Sequence, residues 1–554
     1  MLSMKTIDEH RETVLDGISI AAFAGLVLLS LATFTDYGMS WDETGHAIYG
    51  DSILQYFEAG MVETAIPNTR HTYGGGYNLA AALFSKLLPH TRITSNHLFT
   101  ALLGLVGLLG TWRLGRLLGG AAAGLLALLL LATLPAYYGH MFNNPKDLPF
   151  AVGYIWVLYY LCRLIQAGPR APPRLWIALA LAIGLGMTVR IGGLLGIAYL
   201  AMIMGLQWLA FALRERRVKP ALELAGSLAL RGVFVTLVAW AIMVLPWPAV
   251  HRAPFSLPLQ ALRGFSKYHH SGYTLFRGEY VSAQQAPWDY LPQYFMVQLP
   301  DVLLAVLAIG LLTLIVYLAK PSLRGALWNW RGACVAFLIF AFLFPPSYAI
   351  VRRATIYDGL RHFLFVLPPL CVLAALAASK SIRWIAERSK PAAYATTALL
   401  GFGVVAVVVE MVQLHPYQYV YFNRMSGGLP AAATQYETEY YAHSFKEVAE
   451  KLADRMWEVD RERYLDGSYT VTACGIRDYV WTEHLPPNFV YKTPRWRSER
   501  MSVDFYSGYR RNECVDERAD LPILLTVERQ GVALNVLRDG RPHQKASPGE
   551  ARQR

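Results

Sequence analysis

The chain has 554 residues, 54% of them hydrophobic and 16% charged, with a mean hydropathy of +0.30. That is too apolar for a soluble protein of this length. The net charge of +12 does not indicate a nucleic-acid partner, because Lys and Arg gather in short clusters between apolar runs, where positive charge marks loops retained in the cytoplasm. The composition describes a polytopic α-helical membrane protein.

Residues 17–34 have the apolar core of a signal peptide, but Asp42-Glu43 rather than a small-residue cleavage site follows, so the segment reads as a first span. At about 20 apolar residues per crossing, the pattern predicts about eleven transmembrane helices: 16–35, 96–114, 120–138, 149–166, 175–190, 191–213, 228–248, 298–318, 332–347, 361–379 and 392–413. The loops 113–116, 163–174, 214–219, 320–331 and 380–390 are basic and nearly free of acids. Placing them inside makes the N-terminus cytoplasmic and the C-terminus extracytoplasmic (periplasmic in a bacterium). The protein is then expected to be integral to the cytoplasmic (inner) membrane.

The first external loop, 36–95, is too long to be a connector alone. Apolar residues at helical spacing predict two interfacial helices, one carrying Ile48, Ile53, Leu54, Tyr56 and Phe57 and one carrying Leu79, Leu83, Leu87 and Leu88. Between them lie Arg70, His71 and Tyr73, a candidate substrate loop, followed by Gly74-Gly75-Gly76, whose backbone can approach a neighbour closely. A second external loop carries Asn144-Pro145-Lys146-Asp147, and a third, 251–298, is rich in aromatics and His, including Tyr268, His269 and His270. A fourth, 352–362, is basic on the outer face, against the general rule, and needs a local reason.

After residue 413 the composition becomes soluble. Ser444-Phe445-Lys446-Glu447 has the form of a capping box opening an amphipathic helix with Val448, Leu452 and Met456 on one face. Residues 469–473 and 488–492 read as strands, and 521–528 and 532–537, joined around Gly531, as a hairpin. The expected division is a membrane domain at 1–413, a small extracytoplasmic α+β domain at 414–540, and a disordered polar tail at 541–554. Cys162, Cys334 and Cys371 fall in or beside apolar spans and read as small buried hydrophobes, whereas Cys474 and Cys514 could pair in an oxidising compartment.

Apart from Arg190, the spans hold almost no ionisable residue near their middles, which argues against ion-coupled transport. Charge gathers instead in the outer loops. There Asp42, Glu43 and Asp147 are the candidate catalytic acids. Lys146, Arg190, Arg361 and His362 could stabilise a phosphate leaving group, with Asp42 taking the proton of an acceptor hydroxyl. Plainer accounts exist for each. A solvated loop or a cap on the next helix explains Asp42-Glu43 as well as catalysis does. Asn144, Pro145 and Asp147 fit the first positions of a helix, and Arg361 and His362 taken singly fit interfacial anchors. Arg190 is harder to dismiss, because two short helices meeting there leave little to solvate it. No metal-ligand spacing is present, so no metal ligands are assigned, and a divalent cation beside the carboxylates stays open.

Four motifs occur in order on one membrane face: Trp41-Asp42-Glu43; Asn144-Pro145-Lys146-Asp147-Leu148-Pro149; Thr188-Val189-Arg190-Ile191-Gly192-Gly193; and Tyr357-Asp358-Gly359-Leu360-Arg361-His362-Phe363. In this pattern the chain resembles the phospholipid-carrier-dependent glycosyltransferases, which include the dolichyl-phosphate-mannose protein mannosyltransferases and the aminoarabinose transferases and share the type C glycosyltransferase fold. The resemblance covers about residues 10–425, and the segment 415–428 resembles a bacterial branch. It implies Asp42 as the base, Asp147 as an acid shaping the same site, and Lys146, Arg190 and Arg361 as ligands of the carrier phosphate. The implied activity is inverting transfer of a sugar from a polyprenyl-phosphate carrier to a glycan, lipid or protein acceptor at the outer face. A lipid-linked sugar flippase and a noncatalytic anchor for the C-terminal domain are the rival readings.

Overall fold

A computed structural model of the protein describes residues 4–61, 74–265, 272–320, 325, 328–493 and 501–541. Arg70, His71 and Tyr73, the aromatic and His residues Tyr268, His269 and His270, and all of the predicted tail beyond residue 541 lie outside this set.

The chain is an integral multi-pass membrane protein, mostly helical. Among the described residues, nine helices are long and apolar enough to cross a bilayer, from Glu9–Thr33 to Lys390–Leu414. Two further apolar helices, Ala121–Ala132 and Pro173–Val189, are shorter. They lie where the sequence predicts the third and fifth spans, so a total of eleven crossings depends on these two. Pro173–Val189 stops at Arg190, whose backbone is extended, and a single turn at Ile191–Gly193 leads into Leu194–Glu215. The break therefore falls where the sequence puts it.

The long loop after the first span forms two helices, Glu43–Glu58 and Gly76–Ser85, packed on each other. The three glycines between them are sites of close approach. A Cβ on Gly74 would lie 2.1 Å from the Thr188 carbonyl oxygen, on Gly75 1.9 Å from that of Pro246, and on Gly76 2.2 Å from Thr188 Oγ1. This contact seats the loop against the segment that carries Arg190. The third loop contains a two-stranded hairpin, β1 (Tyr273–Phe276) with β2 (Glu279–Ser282), which the aromatic-rich sequence did not disclose.

Beyond residue 414, the remaining strands are β3 (Tyr469–Ala473), β4 (Phe489–Tyr491), β5 (Phe505–Tyr509), β6 (Ile523–Arg529) and β7 (Val532–Asp539). They form one sheet in the order β4-β3-β5-β7-β6, with β3 parallel to both neighbours and β5, β7 and β6 antiparallel in turn. The helix Ser444–Val459 packs on β6 and β7 through Phe445, Val448, Leu452 and Met456. Cys474 and Cys514 form a disulfide with Cα atoms 5.6 Å apart.

The capping box is a correction. The Ser444 hydroxyl accepts from Asn535, and its N–H donates to Glu439 Oε1 at 3.0 Å. Glu447 turns away to Lys451 (2.7 Å), Arg529 (2.8 Å) and the Tyr417 hydroxyl (2.8 Å). Two cations and a phenol outcompete a local turn. Among the described residues, most buried apolar side chains form one cluster running from Phe34 through the membrane helices to Leu537 in β7, so sheet and spans share a core. A small second cluster joins Tyr77, Ala81, Phe150 and Val189.

Candidate active site

Asp42 occupies the N-cap position of the helix Glu43–Glu58, yet its side chain makes no capping bond. Glu43 does that local work: its Oε2 accepts from the Ser40 N–H at 2.6 Å, while its Oε1 pairs with His97 Nε2 at 2.9 Å. The adjacent acids are thereby separated. Glu43 is buried and committed to the scaffold, whereas Asp42 points away from its own helix.

The Asp42 Oδ2 atom lies 2.6 Å from Lys146 Nζ and 3.5 Å from an Arg361 guanidinium nitrogen. Asp42 is 22% exposed, against 9% for Lys146 and 2% for both Arg361 and Asp147. It is the carboxylate of this cluster that a ligand can reach. Burial alone would raise its pKa, but Lys146 first, then Arg361 and His46, hold it well below the usual carboxylate range.

Lys146 and Asp147 come from the second loop. Asn144 organises that loop, its Oδ1 accepting from the Asp147 N–H at 2.9 Å and its Nδ2 donating to Asp147 Oδ2 at 3.0 Å. The Asn144 side chain thus holds the first N–H of the helix Asp147–Ala167. Lys146 rather than Asn144 stands at the N-cap position, and Asp147 rather than Pro145 is the first helical residue, which corrects the plainer account of this motif. Asp147 also forms an ion pair with Arg190. Helix start and site component are one residue. Removing one partner of such a buried pair costs about 3–5 kcal/mol, because the other charge is left unpaired.

Arg361 begins a short 3-10 segment, Arg361–Val366, ahead of the helix Leu367–Ala386. Pro368 and Pro369 stand in the first turn of that helix, where a missing N–H leaves no intrahelical bond unmade. Arg361 donates to the Tyr441 hydroxyl at 3.0 Å, lies over the rings of Tyr357 and Tyr441, and pairs with Asp358 Oδ2 at 3.2 Å. His362 stacks edge-on against Tyr357 and sits within electrostatic reach of Arg361, Asp147, Arg190 and Lys146. Arg361 thus faces carboxylates rather than solvent, whereas Arg352 and Arg353 of the same loop are exposed.

Four sequence candidates for phosphate binding and two of the three candidate acids therefore meet in one cluster, and Glu43 stands behind it. The sequence reading missed Asp358, Tyr441, Arg511 and Glu437. Asp358 lies inside a quoted motif, and its left-handed backbone, next to Gly359, signals a tight turn. Tyr441, Arg511 and Glu437 lie in the C-terminal region, where no pattern marks them. His140 contacts Tyr440 and Asn144. Burial pushes its imidazole down to about 3, with Asp147 opposing and Arg361 adding to the fall, so it is neutral at physiological pH. Among the described residues, one group of three has metal-ligand spacing, Cys474, Cys514 and Glu517, and its two sulfurs are already joined.

Residues 76–240 match the family Dolichyl-phosphate-mannose-protein mannosyltransferase. That stretch carries Lys146, Asp147 and Arg190. The chain is thus similar to membrane glycosyltransferases whose family name specifies a lipid-phosphate-linked sugar. Its structure is similar to ArnT from Cupriavidus metallidurans in the apo state, with 14% identity over 94% of this chain and 98% of that one and a TM-score of 0.48. It is also similar to the same protein bound to undecaprenyl phosphate, with 16% identity over 94% and 97% and a TM-score of 0.48. The Archaeoglobus fulgidus oligosaccharyltransferase in the apo form gives 12% identity over 85% of this chain and 64% of that one, with a TM-score of 0.45. A search of curated protein sequences returned no match.

Proposed function

We propose that this protein is a membrane-embedded glycosyltransferase that moves a sugar from a polyprenyl-phosphate carrier to an acceptor at the outer face of the cytoplasmic membrane. The observation that carries the reading is the Asp42 carboxylate, released from capping its own helix and held 2.6 Å from Lys146 and 3.5 Å from Arg361. The match of residues 76–240 to a mannosyltransferase family supports it.

In this reading the donor phosphate binds Lys146 and Arg361, with Arg190 and His362 beside them. Its negative charge draws these cations from Asp42. A carboxylate clamped by two cations is a poor base, and one relieved of them is a better one, so donor binding itself raises the basicity of Asp42. The acceptor nucleophile then attacks the anomeric carbon from the side opposite the phosphate. The new bond to carbon forms as the carbon–oxygen bond to phosphate breaks, Asp42 takes the acceptor proton, and polyprenyl phosphate leaves with the bonding electrons. Configuration inverts, and no covalent enzyme intermediate is needed. Asp147, fixed by Asn144 and Arg190, holds the second loop so that Lys146 meets the phosphate. Glu43 supports the first loop.

The test is Asp42→Asn in purified protein, with mass spectrometry of membrane lipids and envelope glycans from cells carrying wild type, none, or the variant. A general base contributes about 10²–10⁴-fold. Loss of one glycan mass with accumulation of its polyprenyl-phosphate donor is expected, and it names sugar and acceptor together. Full activity of the Asn variant would remove Asp42 from the mechanism. Movement of the lipid-linked sugar across the membrane without bond cleavage would make the protein a flippase.

A further inference from the structure

A turn after β5 brings Arg511 from the C-terminal domain into the site of the membrane domain. Arg511 is 4% exposed, and one of its terminal nitrogens lies 3.0 Å from Asp358 Oδ1. The other Asp358 oxygen, Oδ2, pairs with Arg361 at 3.2 Å, and Arg361 in turn reaches Asp42. Asp358 is fully buried between two guanidinium groups, one from each domain. Arg511 also donates to the Tyr440 carbonyl at 2.9 Å and lies 4.7 Å over the ring of Trp41, the neighbour of Asp42.

Two more contacts join the same surfaces. The Tyr479 hydroxyl donates to the Trp41 carbonyl at 3.1 Å, and the Met39 N–H donates to His484 Nε2 at 3.2 Å. The turn bearing Arg511 is itself braced. The Cys514 N–H donates to the Arg511 carbonyl, the Cys474–Cys514 disulfide ties the turn to the end of β3, and Gly508 in β5 lets it fold back, since a Cβ there would lie 1.9 Å from the Cys514 carbonyl oxygen.

We infer that the C-terminal domain completes the active site, with Arg511 acting as a positioning residue that holds Asp358 and, through it, sets Arg361 for the carrier phosphate. This rests on the reading of the site given above. Without Arg511, the Asp358 carboxylate has one cation instead of two and draws Arg361 toward itself, away from an incoming phosphate. The planar guanidinium contacts Asp358, a backbone carbonyl and an indole at once, a combination an ammonium group does not reproduce.

The experiment uses full-length protein in lipid nanodiscs and measures binding of undecaprenyl phosphate and transferase kinetics for wild type, Arg511→Ala, Arg511→Lys, Asp358→Asn and the Arg511→Ala/Asp358→Asn pair. Arg511→Ala is expected to weaken carrier affinity and raise carrier KM about tenfold or more, and Arg511→Lys to recover part of the loss. The double variant should be no worse than the more damaging single one, because both act through Arg361. A merely structural role for Arg511 would lower the yield of folded protein and leave the affinity of the folded fraction unchanged. Should Arg511→Ala fail to fold, Arg511→Lys and Asp358→Asn carry the measurement from the two sides of the contact. Wild-type affinity and KM in the folded variants overturn the inference while leaving the transferase reading intact. Failure of the wild type itself to bind undecaprenyl phosphate overturns the transferase reading instead.

Discussion

Replacing Glu437 by Gln removes a titration that the fold imposes on the back of the site. Glu437 is 3% exposed, and its carboxylate accepts a bond from the Leu275 N–H at 3.4 Å. Burial raises its pKa, Arg511 lowers it, and Asp358 and Glu439 raise it again, with the net effect from 4.5 up to about 7. Between those values the unfolded chain gives up this proton and the folded chain keeps it. Folding then binds the extra proton, so stability falls as pH rises from about 4.5 to about 7 and is level above. A rise of that size corresponds to roughly 3 kcal/mol. Spread over 554 residues unfolding together, it amounts to roughly 3 °C in Tm. Gln keeps the shape and the acceptor but cannot ionise. In nanodiscs, wild type and Glu437→Gln should melt alike at pH 4.5 or below, and the variant should melt higher by that amount at pH 8. Other carboxylates titrate in both proteins and cancel in the difference. Parallel curves from pH 4.5 to 8 would refute the argument, because they would mean that Glu437 ionises without cost against Arg511.

Lys146→Met removes the largest of the charges that hold Asp42 ionised. The Asp42 pKa should rise, and the acid limb of the pH–rate profile should move to higher pH along with a higher carrier KM; an unmoved limb would separate Asp42 from the rate. Cys474→Ser opens a loop of sequence separation 40, worth about 4 kcal/mol in the chain-entropy treatment. Denaturation of the variant should begin in the sheet, read by hydrogen exchange across β3 and β5, and equal protection in both proteins would contradict this. Gly75→Ala puts a methyl 1.9 Å from the Pro246 carbonyl oxygen, so backbone must shift. A loss of about 1–3 kcal/mol is expected, measured by thermal unfolding, and unchanged stability would show the loop to be loosely seated.

Much of the site was legible because membrane sequences are read against a simple solvent. In an apolar run a charged residue stands out, so Asp42, Lys146, Asp147, Arg190 and Arg361 could be picked at helix ends without knowing which faced which. The same simplicity located the helix break at Arg190 and the close approach of Gly74-Gly75-Gly76. It did not divide the labour between Asp42 and Glu43, because that depends on His97, which lies in a different helix. In the C-terminal region the solvent is water on one side and protein on the other, and charge there carries no such signal. Arg511 looks like any surface arginine until β5 delivers it to Asp358. Ser444 and Glu447 matched a local capping rule and were overruled by Glu439, Arg529 and Lys451, partners that sequence spacing does not show.

The contact between Trp41 and Arg511 also sets an order of assembly. Trp41 leaves the ribosome long before Arg511, and among the described residues every helix long enough to cross a bilayer, except the first at Glu9–Thr33, is made in between. A nascent chain can therefore insert all its spans and still lack a finished site. On the proposed reading the site is complete only when the turn after β5 has reached the first loop, so a chain cut short before residue 511 is expected to insert its spans and still lack the cation that pairs with Asp358.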